Sequence, residues 1–260
     1  MITEKERNSL IKFIYSREQP EGGFSFSHMT PPTLEDTYFA LRLLEELDQR
    51  SVNKPTVSYI QSLSPVDMHL PKHLYQLTTI YRIAHLQNQI NLLQQTIFTR
   101  PKINLNTLAD FYYTVLTKEL LHMLITINGH EYQLLTSVEN QPVKSIEEYH
   151  QLITLMKKIQ IPFKSDEYSQ RIRAVQNHDG GFGLVLHSTS YLEPTYHALQ
   201  ALKELHAAPG NTDECERFVY SCMTQISGFG RQITTVPSIE YSYYGVVSLK
   251  IIDMMKKIEG

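Results

Sequence analysis

The carboxylate pairs Glu35–Asp36 and Glu147–Glu148, eleven histidines and sixteen tyrosines are the groups in this sequence able to move a proton or steady a cation. A carboxyl or imidazole works as a general acid or base once burial or a neighbour shifts its pKa. Tyrosine presents a ring face to an apolar or cationic ligand and keeps a polar tip. With 16 Tyr, 10 Phe and no Trp, any aromatic wall here is a tyrosine and phenylalanine wall. His69 and His73 have the i, i+4 spacing of a helical chelate, but Pro71 lies between them and no third ligand is evident. Cys215 and Cys222 lie seven apart in a helix-like stretch, too far apart for a disulfide. No phosphate-cradling glycine loop, nucleophile elbow or H-E-x-x-H helix occurs.

The elements that must position these residues come from an internal repeat. Gln19–Leu47, Gln176–Leu205 and Gln225–Ile252 share a glycine–phenylalanine loop followed by an apolar helix pattern. Phe24 to Glu35, Phe182 to Glu193 and Phe229 to Glu240 are each 11 residues, and Tyr38, Tyr196 and Tyr243 follow the glutamates by three. Asp36 has no carboxylate counterpart, since the same slot holds Pro194 and Tyr241. Weaker copies lie between: Phe98 leads by 11 to Ala109 and by 14 to Tyr112, and segments from Pro71 and Ser145 resemble the second half of a unit. The 205 residues from Phe24 to Phe229, taken as five steps, give 41 per repeat and six repeats. Each repeat reads as two helices. The glycine loop is expected to end the first, glycine taking the left-handed conformation that closes a helix. The second starts near Pro–Ser/Thr–Leu–Glu, with Ser or Thr as cap and an early Glu suited to the helix N-terminus. Glu35, Glu193 and Glu240 are therefore expected to cap their helices or bond the preceding loop. Gln19, Gln176 and Gln225 are expected to tie helix ends together. Asp48–Thr56 and Ala207–Thr212 read as connecting loops. Helical hairpins of this length cannot bury their faces alone and must stack on one another.

The Q-x-x-x-G-G-F loop followed by L-E-D-T-Y-x-A-L resembles the repeat of squalene-type terpene cyclases and protein prenyltransferase β subunits, with Phe here in place of the cyclase Trp. The resemblance implies an all-α fold, an (α/α)6 toroid of six hairpins with inner and outer helices, filling residues 1–260 as one domain. It implies inner helices starting near Leu34, His73, Leu108, Ile146, Leu192 and Ile239, around a barrel cavity that holds an isoprenoid or similar apolar ligand. The ligand-binding residues implied are Tyr38, Tyr75, Tyr112, Tyr113, Tyr149, His150, Tyr196, Tyr241, Tyr243 and Tyr244. Asp36, Asp110 and His197 are the implied catalytic residues, with Asp36 the leading one. The family's zinc pattern is incomplete: its D-x-C slots read Asp36–Tyr38 and Asp110–Tyr112, and its histidine slot reads Tyr241. The D-x-D-D acid of alkene-protonating cyclases and the D-D-x-x-D magnesium motif are both absent. Magnesium or zinc thus has no complete site, and no cofactor is assigned.

Composition narrows the remaining classes. A net charge of −3 gives no reason to expect nucleic acid. No apolar run reaches the 18 or so residues of a membrane span, and the first residues lack a signal-peptide core. Two cysteines make no disulfide framework, so a cytoplasmic protein is expected. Isoprenoid transfer or cyclisation leads. A non-catalytic toroid that binds a ligand, a partner subunit or a second copy of itself is the alternative. A carbohydrate-active α/α barrel comes last, for want of Trp platforms.

Overall fold

The computed structural model describes residues 2–65, 68, 70–99, 105–141 and 144–259. Among them are twelve α-helices and no strand beyond isolated two-residue bridges. The inner helices are α2 (Leu34–Glu46), α4 (Pro71–Ile83), α6 (Leu108–Leu120), α8 (Ile146–Lys158), α10 (Leu192–Glu204) and α12 (Ile239–Glu259). Five of the six starts fall on the expected residue; α4 begins two residues early because Pro71, which needs no N–H partner, takes the first turn. The outer helices are α1 (Glu4–Tyr15), α3 (Lys54–Ser62), α5 (Gln87–Thr99), α7 (Gly129–Glu139), α9 (Ser165–Arg173) and α11 (Thr212–Ser221). The Asp48–Thr56 loop is shorter than expected, since Asn53 caps α3 and Pro55 enters its first turn.

Every inner helix from α2 to α10 is 13 residues long and closes in the same way. The second residue beyond each helix takes a left-handed φ: Asp48, His85, His122, Gln160 and His206, at 53° to 60°. The amide after it reaches back to a carbonyl of the last turn, as in Leu86 N–H to Tyr81 O at 2.9 Å and Met123 N–H to Lys118 O at 2.8 Å. This is a Schellman closure built without glycine, which costs each side chain a strained backbone.

The glycines act elsewhere. Helix α9 ends at Arg173, well before Gly180, so the glycine loop does not terminate the outer helix as the sequence suggested. Gly22 and Gly180 have φ of 95° and 85°, and a Cβ on either would lie 2.1 Å from the backbone of the next outer helix, at Pro55 and Glu214. They combine a left-handed turn with the close approach of a neighbouring helix. The phenylalanine after them is sealed in the core: Phe24, Phe182 and Phe229 are each at most 1% exposed. Their amides donate to Thr37 Oγ1, Thr195 Oγ1 and Ser242 Oγ at 2.9–3.0 Å. Phe98, aligned with them by sequence spacing, lies instead inside α5.

The glutamine register also changes. The bridges pair Glu18 with Phe24, Gln176 with Phe182 and Met223 with Phe229, so these three are equivalent and Gln19 and Gln225 are not. Gln176 does tie elements together, donating to Gly180 O and Asn211 O and accepting from Asn211 N–H at the cap of α11. Glu18 performs that task in the first repeat, accepting from Asn53 and Thr56 at the start of α3. Gln19 turns back to Ser25 and Ser27.

Helical contacts divide the chain into two compact units. In residues 14–134, α2 packs on α4 and α4 on α6, with α5 behind α4. In residues 1–13 and 135–260, α8 packs on α10 and α10 on α12, with α9 behind α8 and α10, and α11 behind α12. The core of each is leucine and isoleucine from both helices of the hairpins, among them Leu43, Leu77 and Ile80 in one and Leu152, Leu199 and Ile252 in the other.

Candidate functional site

The fifth residue of every inner helix is aromatic or imidazole: Tyr38, Tyr75, Tyr112, His150, Tyr196 and Tyr243. The shared register gives them the same position in each inner helix, and within each unit their rings come together. In the unit of residues 14–134, the Tyr38 and Tyr75 rings lie 6.0 Å apart, Tyr75 and Tyr113 5.6 Å, and Tyr112 and Tyr113 5.1 Å. In the other unit, His150 and Tyr196 are 6.5 Å apart and Tyr196 and Tyr243 5.9 Å. Tyr244 stacks obliquely on Tyr196 at 4.6 Å, and Tyr241 stands 6.2 Å from Tyr244. Such spacings are those of favourable edge and offset ring pairs. Tyr149, expected among them, lies one position earlier and turns to Tyr168 at 5.9 Å. It lines a separate groove of about 820 Å³ with Phe163, Arg171 and Glu167. There Lys144, 3% exposed, donates to Glu139 O and Gln141 O and so serves as a C-terminal cap for α7.

His150 and His197 meet directly, Nδ1 to Nδ1 at 2.9 Å. Two imidazoles can share that contact only if one nitrogen carries the proton and the other accepts it. Burial pushes His150 down to about 4, with Glu204 opposing, so His150 is neutral at physiological pH. Tyr244 beside them donates to Glu240 at 2.9 Å and is held well above the ordinary phenol value by burial, then by Glu240 and Glu193.

The carboxylates are engaged in helix architecture. Asp36 is the third residue of α2, where its N–H donates to Thr33 Oγ1 and its carboxylate accepts from that hydroxyl. Burial raises its pKa, against the Thr33 bond. Asp110 holds the same place in α6, accepting from Asn106 N–H and Thr107 N–H in a reciprocal cap. Glu148 repeats it in α8 with Ser145. The expected capping glutamates differ: Glu35 pairs with Lys72 at 2.7 Å and Glu240 accepts from Tyr244. The cap falls one residue later because the helices begin at the leucine or isoleucine.

A zinc centre is not supported by these donors. Asp36 and Asp110 cap helices, the partner slots are tyrosines, and both thiols belong to the outer layer. Cys215 lies in α11 and Cys222 caps it; they are free, buried, and pushed up to about 12 by burial. No cluster of three His, Cys, Asp or Glu among the described residues could hold a metal ion. His69 lies outside the described residues.

The alternation of inner and outer helices can now be set beside known proteins. The model of the prenyltransferase alpha-alpha toroid domain matches residues 1–79 and 186–260, more than half of the chain. The chain belongs to that family. Among solved structures, Candida albicans protein geranylgeranyltransferase-I complexed with GGPP is similar at 17% identity and a TM-score of 0.42, over 98% of this chain and 80% of that one. No curated protein matches. Within this toroid family member, no described helix is long and apolar enough to cross a membrane.

Sequence reading missed two sets of residues. Thr37, Thr195 and Ser242 are fully buried and hold the loop phenylalanine amides; their signal was a hydroxyl exactly thirteen residues after each phenylalanine. Gln76 is 1% exposed, and neither its Oε1 nor its Nε2 meets a hydrogen-bond partner among the described residues. A buried amide left unpaired costs about 1–3 kcal/mol. Its only signal in the sequence was a polar residue beside Tyr75.

Proposed function

We propose that this protein binds a long apolar ligand of the isoprenoid type along the aromatic face of its inner helices, in the cytoplasm. One observation carries the reading: the fifth position is Tyr, Tyr, Tyr, His, Tyr and Tyr through all six inner helices. Helix packing alone would be served by leucine at such a position. Rings with polar tips suit an apolar chain that ends in, or develops, polarity. Family membership and the similarity between its repeat and isoprenoid-handling enzymes support the same class. Native mass spectrometry and thermal shift with farnesyl and geranylgeranyl compounds test it. Saturable binding should appear, and Tyr38→Ala with Tyr75→Ala should weaken it at least tenfold. Absence of binding to every isoprenoid would move the reading to a toroid that docks a partner subunit or a second copy.

Catalysis of isoprenoid transfer or cyclisation is the second reading, favoured by the His150–His197 pair. A neutral imidazole beside Tyr196 and Tyr244 can take a proton from a cationic intermediate. Asp36 and Asp110 remain the carboxylate candidates from sequence, each occupied in a cap. Absence of turnover with every prenyl compound would sink this reading, and turnover that survives His197→Gln, Asp36→Asn and Asp110→Asn together would take the chemistry away from these residues.

A further inference from the structure

In three pairs of neighbouring inner helices, the sixth residue of one meets the fifth residue of the helix before it. Tyr113 lies against Tyr75 at 5.6 Å, His197 against His150 at 2.9 Å and Tyr244 against Tyr196 at 4.6 Å. Gln76 is the sixth residue of α4, directly after Tyr75, and so holds the register position that in those three pairs meets the fifth residue of the preceding inner helix, here Tyr38. Phe39, Tyr113, His197 and Tyr244 put a ring there, while α4 and α8 put a buried carboxamide: Gln151 Nε2 donates to Glu147 at 2.9 Å, whereas neither polar atom of Gln76 has a partner among the described residues. The buried hydroxyls of Thr114, Thr154 and Ser248 also lack partners among the described residues. A helical hydroxyl can rotate onto the carbonyl four residues back, as Thr78, Thr79 and Thr117 do. The longer, planar amide of Gln76 has no such local remedy. It offers one acceptor and two donor hydrogens to a polar group brought against it.

Charge specifies what kind of group that is. The first eight residues of α2, α4 and α6 carry Glu35, Asp36 and Asp110 against Lys72, which is held by Glu35 at 2.7 Å. Lower on α2, Arg42 is held by Glu45 at 2.7 Å and by Glu46 at 3.9 Å. A diphosphate calls for several cations aimed at its oxygens, and this stretch presents carboxylates instead. An uncharged hydroxyl needs only a donor and an acceptor, which a carboxamide supplies from one side chain.

Resting on the isoprenoid reading above, we propose that Gln76 is the head-group anchor of this site, and that its ligand is a prenol, a long isoprenoid alcohol, in place of a prenyl diphosphate. The hydroxyl donates to Gln76 Oε1 and accepts from Nε2–H, with the chain lying along the tyrosine row.

Three C20 probes test this: geranylgeraniol, geranylgeranyl diphosphate, and the hydrocarbon with the hydroxyl replaced by hydrogen. Dissociation constants are measured for the full chain and for Gln76→Leu. The wild-type protein should bind the alcohol at least tenfold tighter than the hydrocarbon and than the diphosphate. Gln76→Leu should bring alcohol and hydrocarbon within about twofold, and its unliganded Tm should not fall, because an unpaired amide has been removed. Gln76→Met serves if the leucine variant does not fold. Tightest binding of the diphosphate would overturn the prenol assignment and leave the isoprenoid reading standing. An alcohol preference that survives both substitutions would overturn the role of Gln76. Failure of all three probes to bind would overturn the isoprenoid reading and this proposal with it.

Discussion

Burial leaves His150 with a pKa of about 4 against an ordinary 6.5, so its neutral form is part of the folded state. The unfolded chain binds a proton near pH 6.5 and the folded chain resists it. Stability is therefore full above about pH 6.5 and declines as pH falls toward 4. The difference amounts to about 3 kcal/mol once both states are protonated. His150→Gln should abolish that part of the slope in urea titrations run between pH 4 and 7. A slope unchanged in the variant would show that other groups carry it. Thr37 makes a second residue-scale case. Its buried hydroxyl accepts the Phe24 amide at 3.0 Å, and valine has the same shape without the acceptor. Thr37→Val should cost about 1–3 kcal/mol, read from the urea midpoint, because it strands a buried N–H.

At the element scale, helix ends hold the tension. Exposed His85 and His122 take left-handed backbone conformations that glycine adopts freely. Relieving the strain outweighs the extra flexibility of the unfolded chain, so His85→Gly or His122→Gly should each stabilise the protein by about 0.5–1 kcal/mol. A lower Tm for both would contradict that account. The converse holds at Gly180. An added methyl meets the backbone of Glu214 at 2.1 Å, and neither side can yield without moving a helix. Gly180→Ala should lower the Tm far more than an ordinary surface change, or leave the chain insoluble. Helix starts were legible in sequence, since Thr33, Thr107 and Ser145 each precede a leucine or isoleucine and stand three before an acidic residue. Helix ends were not. Leu-Asp, Ala-His, Leu-His and Ile-Gln carry no glycine, and only backbone geometry reveals that they close helices.

For the whole molecule, the two buried thiols report on intact packing. Cys215 and Cys222 are at most 1% exposed and are pushed up to about 12, so neither offers a thiolate while the core is closed. A thiol reagent such as DTNB should label neither in the native protein and both in denaturant, with labelling following unfolding. Rapid labelling of one cysteine in native buffer would mean that α11 opens independently of its unit. Repeat proteins distribute stability over stacked neighbours, so such local opening is the natural competitor to a cooperative transition.

Sequence by itself determined the six-fold helical register, because apolar spacing, loop phenylalanines and capping residues are local chemistry that recurs at a fixed interval. It also pointed to the aromatic positions: Tyr38, Tyr196 and Tyr243 shared a repeat slot and the resemblance implied Tyr75, Tyr112 and His150, while the helix bounds put all six at the fifth position. Only tertiary structure decided what the polar groups do. Asp36 and Asp110 read as reactive carboxylates in sequence, and the structure adds that each also caps its helix start. Glu18 took the place assigned to Gln19, because backbone pairing, not residue identity, sets the register. His150 and His197 lie 47 residues apart, and burial leaves Gln76 without a hydrogen-bond partner among the described residues. Proton sharing and desolvation act through space, over a few ångströms, between residues that no local pattern brings together.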